Sequence, residues 1–287
     1  MNQQHTDVGA QVIPYPKIRQ WMAAAYRSVR DKPMIHGLIE VDVTTARAYL
    51  RERKAQTGES LSFTAFLIAC LAKAVDEHKA VQAIRKGSKR LVIFDDVDVW
   101  TPIEHDVAGQ KLPLPHVVRA ANRKSFRAVH DEIRTAQAAD VEQIVQAPRF
   151  FPAALFGPSI WLFWRIGRAM PRFQKRSIGT VGITAVGMFG KGAGWGVPPP
   201  IPTPLMVTVG GIGKRQVILG DRVTTREYLS LTISVDHEIV DGAPAARFTQ
   251  RLKELIESGY GLNDSKVASE RARADGASQQ KAYAVRL

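Results

Sequence analysis

The sequence has little cysteine and no long apolar run, and each absence excludes a class of protein. Its single cysteine, Cys70, cannot form an internal disulfide or a metal site built from several thiolates. It lies in the apolar run 66–71, which predicts a buried small hydrophobic residue. The uncharged aromatic run 150–164 is shorter than the stretch of about 20 apolar residues that a bilayer-spanning helix needs. The chain does not start with a basic and apolar secretion signal, so we expect a cytoplasmic protein.

Several common catalytic motifs are also missing. The glycines at 182 and 187 are followed by Met188 and Phe189, so this segment is not a phosphate-binding loop. The glycine-rich segment 192–196 precedes prolines rather than a helix, which excludes a dinucleotide site. There is no Gly-x-Ser-x-Gly nucleophile elbow. Outside His237, the histidines lack metal-ligand spacing with acidic partners, so we expect no metal.

Positive charge is the feature that the composition has in excess. The formal net charge of +13 favours polyanionic partners such as an acidic domain, an anionic membrane or a phosphate-bearing cofactor. The cations cluster at 165–176 and again in the tail, with no zinc-finger spacing or aromatic RNA-binding motif beside them. We therefore expect no nucleic-acid partner.

The most informative motif begins in an alternating segment at 228–236. Apolar and polar residues alternate there with the period of two that predicts a strand with one buried face. His237 continues the apolar phase, which predicts that its ring points into the protein. Asp241 and Gly242 follow four and five residues later. The alternating apolar residues are Leu229, Leu231, Ile233 and Val235.

A partly buried neutral imidazole can act as a general base, because its unperturbed pKa is about 6.5. His237 is therefore a candidate base that takes a proton from a thiol or a hydroxyl. We expect Asp241 to hold the loop through backbone hydrogen bonds or an arginine pair, and Gly242 to allow the tight turn. The His-x-x-x-Asp-Gly string alone also fits a core histidine held only by hydrogen bonds.

Helical and strand patterns are interspersed, which predicts one α/β domain over 16–262. An irregular lead over 1–15 precedes it, and a disordered tail over 263–287 follows because that segment has almost nothing to bury. Ser62 is a candidate helix cap, and a Gly220-Asp221 turn joins two strands. The predicted helices cover 16–30, 46–54, 62–78, 125–138 and 244–259. The predicted strands cover 35–43, 90–103 as one or two strands, 180–186, 205–212, 215–219 and 224–235.

Two segments do not fit this regular pattern. Residues 150–176 begin as an uncharged aromatic run and end in several arginines and lysines. This apolar insertion is predicted either to contact a membrane surface or to form an oligomer contact or hydrophobic lid. Residues 197–204 are too rich in proline for a sheet ladder, and predict a rigid extended connector at a subunit contact.

Four segments together resemble one enzyme family and occur in its order. They are 229–248, 182–190, 64–67 with the helix that follows, and 119–126 with the helix that follows. Spread over most of residues 20–260, they resemble the catalytic domain of the dihydrolipoamide acyltransferases of 2-oxo acid dehydrogenase complexes. That family is related in fold to chloramphenicol acetyltransferase. The resemblance implies a coenzyme A dependent acyltransferase fold, a mixed sheet flanked by helices.

The same resemblance implies transfer of an acyl group between the thiols of dihydrolipoamide and coenzyme A. His237 matches the family's base, Asp241 its structural aspartate, and Thr184 the serine or threonine hydroxyl that stabilises the oxyanion. Family members are trimers with the active site between subunits, so His237 and Thr184 need not meet within one chain. Coenzyme A is the implied cofactor, and an acidic lipoyl domain on another polypeptide is an implied partner.

Three departures from the family pattern keep two alternatives open. No lipoyl or peripheral-subunit-binding domain is recognisable, and the pair Asp31-Lys32 lacks the strand-rich surroundings of a lipoylation site. Glu238 stands where the acyltransferases usually have arginine, and the apolar insertion replaces a short polar stretch. The alternatives are acyl transfer to a hydroxyl or amine of a small molecule or lipid, and a catalytically silent assembly subunit.

Overall fold

The computed structural model describes residues 5–6, 10–11, 15, 17–107, 110–139, 162, 166–167, 169–187 and 190–262. Most of the predicted lead, most of the predicted insertion at 150–176 and the whole predicted tail lie outside these residues. In the described part of the chain, no helix is long and apolar enough to cross a membrane.

A mixed six-stranded sheet forms the centre of the fold, in the order β3-β10-β9-β8-β6-β7. The pairs β6 with β8 and β8 with β9 are parallel, and the other neighbours are antiparallel. Two short pairs, β1 with β2 and β4 with β5, lie outside this sheet. The strands are β1 (His5–Thr6), β2 (Ala10–Gln11), β3 (Met34–Asp42), β4 (Ile84–Lys86), β5 (Arg90–Val92), β6 (Val99–Val107), β7 (Gln110–Val118), β8 (Val181–Ala185), β9 (Leu205–Leu219) and β10 (Arg222–Asp236).

Helices contribute to one hydrophobic core with the sheet. Val41, Leu231 and Ile183 from three strands share this core with Phe66 and Phe248 from two helices. The helices are α1 (Lys17–Ser28), α2 (Thr44–Thr57), α3 (Phe63–Glu77), α4 (Phe126–Ala138), α5 (Pro171–Ile178) and α6 (Gly242–Glu257), with 3-10 turns at Lys79–Gln82 and Ala121–Arg123.

The central helix α3 forms where its cap and composition predict. The Ser62 hydroxyl accepts a hydrogen bond from the Ala65 amide at 3.2 Å and so satisfies one free donor of the first turn. The helix is apolar on nearly all sides, which is typical of a helix surrounded by protein. Cys70 is fully buried within it, as predicted, and this burial raises the pKa of the Cys70 thiol.

The hairpin of β9 and β10 is longer than predicted. Gly220 has a positive φ of 60° at the turn, and the two strands pair from Leu219 and Arg222 onward. Where the sequence indicated two strands at 205–212 and 215–219, the structure has one continuous strand of 15 residues. The pairing register between β9 and β10 shifts near Ser230, as it does at a β-bulge. The carboxyl end of β10 therefore lies far from the turn that joins the two strands.

Strand β7 was not predicted, because Pro113 and Pro115 weaken the strand pattern. The structure places β7 at the edge of the sheet, where β6 is its one partner among the described strands. An edge strand needs hydrogen bonds on one side only, so it tolerates residues that lack a backbone donor.

A segment that we call the glycine strap, residues 190–197, crosses the sheet over β9 and β10. The Gly211 amide donates to the Gly194 carbonyl oxygen at 2.8 Å, and the Gly194 amide donates to the Ser230 hydroxyl at 3.3 Å. A Cβ atom at Gly210 would collide with the Gly194 carbonyl oxygen. The Trp195 indole donates to the Ile39 carbonyl oxygen at 3.2 Å and fixes the strap to β3.

Candidate active site

His237 lies in a tight turn directly after β10. Its backbone amide donates to the Pro33 carbonyl oxygen at 2.9 Å, and its Nδ1 lies 2.9 Å from the Val240 carbonyl oxygen. A carbonyl oxygen can only accept, so Nδ1 carries the proton in this contact. The neutral ring therefore has its free lone pair on Nε2, the arrangement that a general base requires.

The predicted burial of His237 is wrong for the single chain. Its side chain is 44% exposed. The reason is that the strand ends one residue earlier, since the amides of Ile239 and Val240 both donate to the Asp236 carbonyl oxygen and form a turn. The period-two alternation therefore does not continue to His237, and the ring is accessible to a substrate.

Asp241 lies beside His237 but does not hold the loop as expected. Its carboxylate is 88% exposed and 3.9 Å from Nδ1 of His237. It occupies the N-cap position of α6 without a side-chain hydrogen bond to the helix. Within the described residues, no arginine pairs with it. Its role at the site stays a prediction.

The loop is held instead by a buried ion pair between Lys32 and Asp236. Lys32 Nζ lies 3.0 Å from Asp236 Oδ2, and the two side chains are 8% and 2% exposed. Lys32 Nζ also donates to the Pro202 carbonyl oxygen at 3.1 Å. The other carboxylate oxygen of Asp236 accepts from the Glu238 amide at 3.2 Å. The pair therefore connects the turn to the loop after α1 and to the proline-rich connector.

Sequence reasoning missed this pair for two reasons. Asp236 falls on the polar phase of β10, which predicts an exposed side chain. Lys32 stands out in the sequence only as part of the pair Asp31-Lys32, and this pair does not indicate a partner about 200 residues away in the sequence. A charged residue directly before the histidine was the one local signal that the turn needs an anchor.

Glu238, the departure from the family's arginine, has a partner in this chain. Its Oε2 lies 2.6 Å from Arg85 Nη1 on β4, and the side chains are 37% and 45% exposed. The contact fixes the residue next to His237 against the hairpin of β4 and β5. The negative charge at this position is therefore neutralised within the fold.

Thr184 begins a row of hydroxyls that runs across three strands. It pairs in register with Thr208 on β9, which pairs with Thr232 on β10, so the three side chains project from the same face. Thr208 and Thr232 are 3% and 0% exposed, and neither hydroxyl has a hydrogen-bond partner among the described residues. The sheet therefore presents a buried polar face next to Thr184.

The structure does not bring Thr184 and His237 together within one chain. Along β10, Asp236 lies four residues beyond Thr232, about 13 Å at the usual strand rise. Thr184 lies two strands across, about 10 Å at the usual strand spacing. The separation between Thr184 and Asp236, the residue before His237, is therefore about 16 Å, well beyond the reach of one tetrahedral centre.

The open groove near this region lies on the other side of the sheet. It has a volume of about 540 Å³ and lies between β3 and α6, lined by residues that include Ile39, Ile233, Val235 and Lys253. Neither Thr184 nor His237 lines it. Within the described ranges, no group of three or more histidine, cysteine or acidic side chains is arranged to hold a metal ion.

A protein-family model accounts for most of the chain. Residues 8–146 and 172–262 match the model described as 2-oxoacid dehydrogenases acyltransferase (catalytic domain). The matched ranges make up more than half of the sequence and include Thr184, His237 and Asp241. The resemblance drawn from four sequence segments is therefore confirmed.

Curated relatives and solved structures point the same way. The lipoamide acyltransferase component of the branched-chain alpha-keto acid dehydrogenase complex of Bacillus subtilis is 25% identical over 87% of this chain and 53% of that protein. The dihydrolipoyllysine-residue acetyltransferase component of the pyruvate dehydrogenase complex of Zymomonas mobilis is 34% identical over 82% of this chain and 47% of that protein. The chain thus spans about half the length of these relatives.

The solved structures establish the fold. A probable dihydrolipoamide acetyltransferase from Listeria monocytogenes matches with a TM-score of 0.66 at 24% identity, over 87% of this chain and 95% of that chain. A truncated catalytic core of the 2-oxoacid dehydrogenase multienzyme complex from Thermoplasma acidophilum matches with a TM-score of 0.61 at 22% identity, over 88% of this chain and 100% of that chain. The predicted acyltransferase fold is confirmed.

Proposed function

We propose that this chain, which belongs to the family of 2-oxoacid dehydrogenase acyltransferases, moves an acyl group between a thioester and a thiol. The two thiols are those of coenzyme A and of a dihydrolipoyl group supplied by another polypeptide. The observation that carries the proposal is the hydrogen bond from His237 Nδ1 to the Val240 carbonyl oxygen, which leaves Nε2 as a base on an accessible ring.

His237 is the general base of the proposed reaction. Nε2 takes the proton of the attacking thiol, and the thiolate sulfur forms a bond to the thioester carbonyl carbon. The tetrahedral intermediate collapses when the carbon to leaving-sulfur bond breaks. The imidazolium returns its proton to the departing thiolate, so the histidine ends the cycle neutral.

Thr184 is the proposed hydroxyl donor to the oxyanion, and it completes a site whose base is the His237 of a neighbouring copy. The separation of about 16 Å within one chain supports a site built between subunits of a homotrimer. The buried hydroxyls of Thr208 and Thr232 beside Thr184 support a polar surrounding for the oxyanion. Asp241 is the proposed structural aspartate of the site. Its carboxylate lies 3.9 Å from Nδ1 of His237, which supports a role beside the base.

Replacement of His237 by alanine tests the base. We expect His237→Ala to abolish transfer while the protein stays folded and oligomeric, because the side chain is 44% exposed and contributes little to the core. Steady-state transfer between acetyl-coenzyme A and dihydrolipoamide is the measurement. His116→Ala, remote in the sequence and on edge strand β7, is the matched control. Transfer by His237→Ala at the parental rate would exclude the mechanism.

Replacement of Thr184 by valine tests the oxyanion donor. We expect turnover to fall by about 10² to 10³, the typical effect of one lost oxyanion donor. Thr184→Ser should retain turnover because it keeps the hydroxyl. The free energy of unfolding should change little in either variant. An unchanged turnover in Thr184→Val would remove Thr184 from the site.

Glu238 keeps the silent assembly subunit as a second candidate, because it departs from the family pattern beside the base. A thioester panel with thiol, hydroxyl and amine acceptors separates the possibilities. Transfer that depends on His237 and prefers a thiol supports the proposal. Transfer only to a hydroxyl or amine supports the small-molecule or lipid alternative. A folded oligomer without exchange and without calorimetric binding of acyl-coenzyme A supports the silent subunit.

A further inference from the structure

The hairpin of β4 and β5 carries a concentration of positive charge that the proposed chemistry does not use. Residues 84–92 contain four cations and no carboxylate. Arg85 is paired with Glu238, but Lys86, Lys89 and Arg90 are exposed and form no ion pair with any described residue. Three unneutralised cations on nine residues create a local positive potential at the surface.

Helix α5 extends this positive surface beyond the hairpin. The helix packs against β4, and Arg172 and Arg176 on it are exposed. Beside these cations the surface is apolar, since Leu91 and Ile93 are 51% and 54% exposed. We call the hairpin together with these two arginines the basic surface. Exposed large apolar side chains that are rimmed by charged residues mark a protein-interaction site.

The basic surface adjoins the turn of the candidate base. The 2.6 Å contact between Arg85 and Glu238 joins the hairpin to the residue directly after His237. A partner on the hairpin would therefore lie beside the catalytic turn. By contrast, the exposed cations Lys214 and Arg222 lie at the far end of β9 and β10. At the usual strand rise, Arg222 is about 46 Å from Asp236.

We infer that the basic surface docks the acidic protein domain that presents the dihydrolipoyl thiol to His237. This inference rests on the proposed function. Relatives are named for acting on a dihydrolipoyllysine residue, which is a residue of a protein, so a protein surface must approach the base. A protein partner also accounts for the exposed Leu91 and Ile93, which the phosphates of coenzyme A would not contact. Electrostatic steering by unpaired cations accelerates such an encounter.

A triple charge reversal tests the docking surface. The hairpin variant carries the three changes Lys86→Glu, Lys89→Glu and Arg90→Glu. The control variant carries the two changes Lys214→Glu and Arg222→Glu on exposed cations remote from the turn of His237. The acceptor is offered as free dihydrolipoamide and as a recombinant acidic lipoyl domain in its reduced form. We expect the KM for the domain to rise at least about tenfold in the hairpin variant, because like charges now face each other.

The other kinetic constants should stay at their parental values. These are kcat, the KM for free dihydrolipoamide and the KM for acyl-coenzyme A in the hairpin variant, and all constants of the control variant. Raising the salt concentration should raise the parental KM for the domain and leave the KM for free dihydrolipoamide unchanged. The reversed side chains are all exposed, so the melting temperature should match that of the parent.

Three outcomes would overturn the docking inference. One is an unchanged KM for the domain in the hairpin variant. The second is a raised KM for acyl-coenzyme A alone, which would make the hairpin a phosphate site. The third is an equal rise of the KM for the domain in the control variant, which would show that the effect comes from the net charge of the protein.

Failure of the proposed function gives a separate signal. If the parental protein transfers to neither acceptor, the acyl-transfer proposal fails. The docking inference is then decided by calorimetric titration with the acidic lipoyl domain and with a variant whose carboxylates are neutralised. Binding of the acidic domain that the hairpin variant alone loses supports docking, and equal binding by parent and hairpin variant, or by neither, overturns it.

Discussion

The two faces of strand β10 are both buried over residues 229–236, yet they contribute differently to the protein. One face places Leu229, Leu231 and Ile233 in the common hydrophobic core. The opposite face carries Ser230, Thr232, Ser234 and Asp236, which are 0%, 0%, 0% and 2% exposed. The period-two pattern predicted one buried face, and the polar face was expected to meet solvent. Alternation on this strand separates residues that form the core from residues that support the candidate site.

The polar face stays buried because other segments supply hydrogen bonds to it. The strap donates to Ser230, and Nδ1 of His36 lies 2.8 Å from the Ser234 hydroxyl. Lys32 neutralises Asp236. Thr232 has no such partner in the described part of the chain. The comparison therefore predicts different responses to substitution along the two faces.

The largest effect on stability is expected for Lys32. Lys32→Met leaves the Asp236 carboxylate buried without its partner, which typically costs about 3–5 kcal/mol of unfolding free energy. Urea unfolding measures this loss. Lys73→Met, which breaks a pair whose side chains are 36% and 30% exposed, is the control and should cost at most about 1 kcal/mol. Equal losses in the two variants would contradict a special role for the buried pair.

Leu231 on the apolar face should have the next largest effect. Its side chain is fully buried, so Leu231→Ala removes apolar contacts and leaves a cavity that costs about 3 kcal/mol. The same urea titration gives the value. Leu38, 52% exposed on neighbouring β3, provides the control substitution Leu38→Ala, with little expected change. A loss below about 1 kcal/mol for Leu231→Ala would show that the core collapses into the cavity.

Acid should weaken the helices that cover the apolar face. The hydrogen bond from Arg251 on α6 is the largest cause that lowers the pKa of Glu77 on α3, from 4.5 to about 2. Because the folded pKa is depressed, the ionised Glu77 stabilises the fold above the unfolded pKa, and this stability is lost as pH falls from 4.5 to about 2. Glu77→Gln should reduce the pH dependence of unfolding in that window. If the parent and Glu77→Gln showed the same pH dependence of unfolding, the contribution of the contact between Glu77 and Arg251 would be contradicted.

Thr232 on the polar face should respond least. Thr232→Val replaces a buried hydroxyl that lacks a partner, so unfolding free energy should stay the same or rise by at most about 1 kcal/mol. Ser234→Ala, which removes a hydroxyl that does have a partner, should be the more destabilising of the two. Chemical denaturation of both variants compares them directly. A larger loss in Thr232→Val than in Ser234→Ala would show that the Thr232 hydroxyl binds a group of another copy.

Much of the fold followed from local signals. Ser62 predicted the start of α3, and the Gly220-Asp221 turn predicted the hairpin of β9 and β10, because a cap and a tight turn are short-range chemistry. The proline-containing edge strand β7 gave no such signal. Nor did α5, most of which lies in the segment 150–176 predicted as an apolar insertion.

The sequence by itself determined the strand before His237, the base as a candidate and the family. These rest on residue order and period-two alternation, which are properties of neighbouring residues. Only the tertiary structure decided that the polar face of β10 is buried, that Lys32 anchors the turn and that Arg85 reaches Glu238. It also decided that Thr184 lies two strands away from β10, about 16 Å from Asp236, the residue before His237. Each of these depends on the strand order β10-β9-β8 or on contacts between residues far apart in the chain, and no local pattern encodes them.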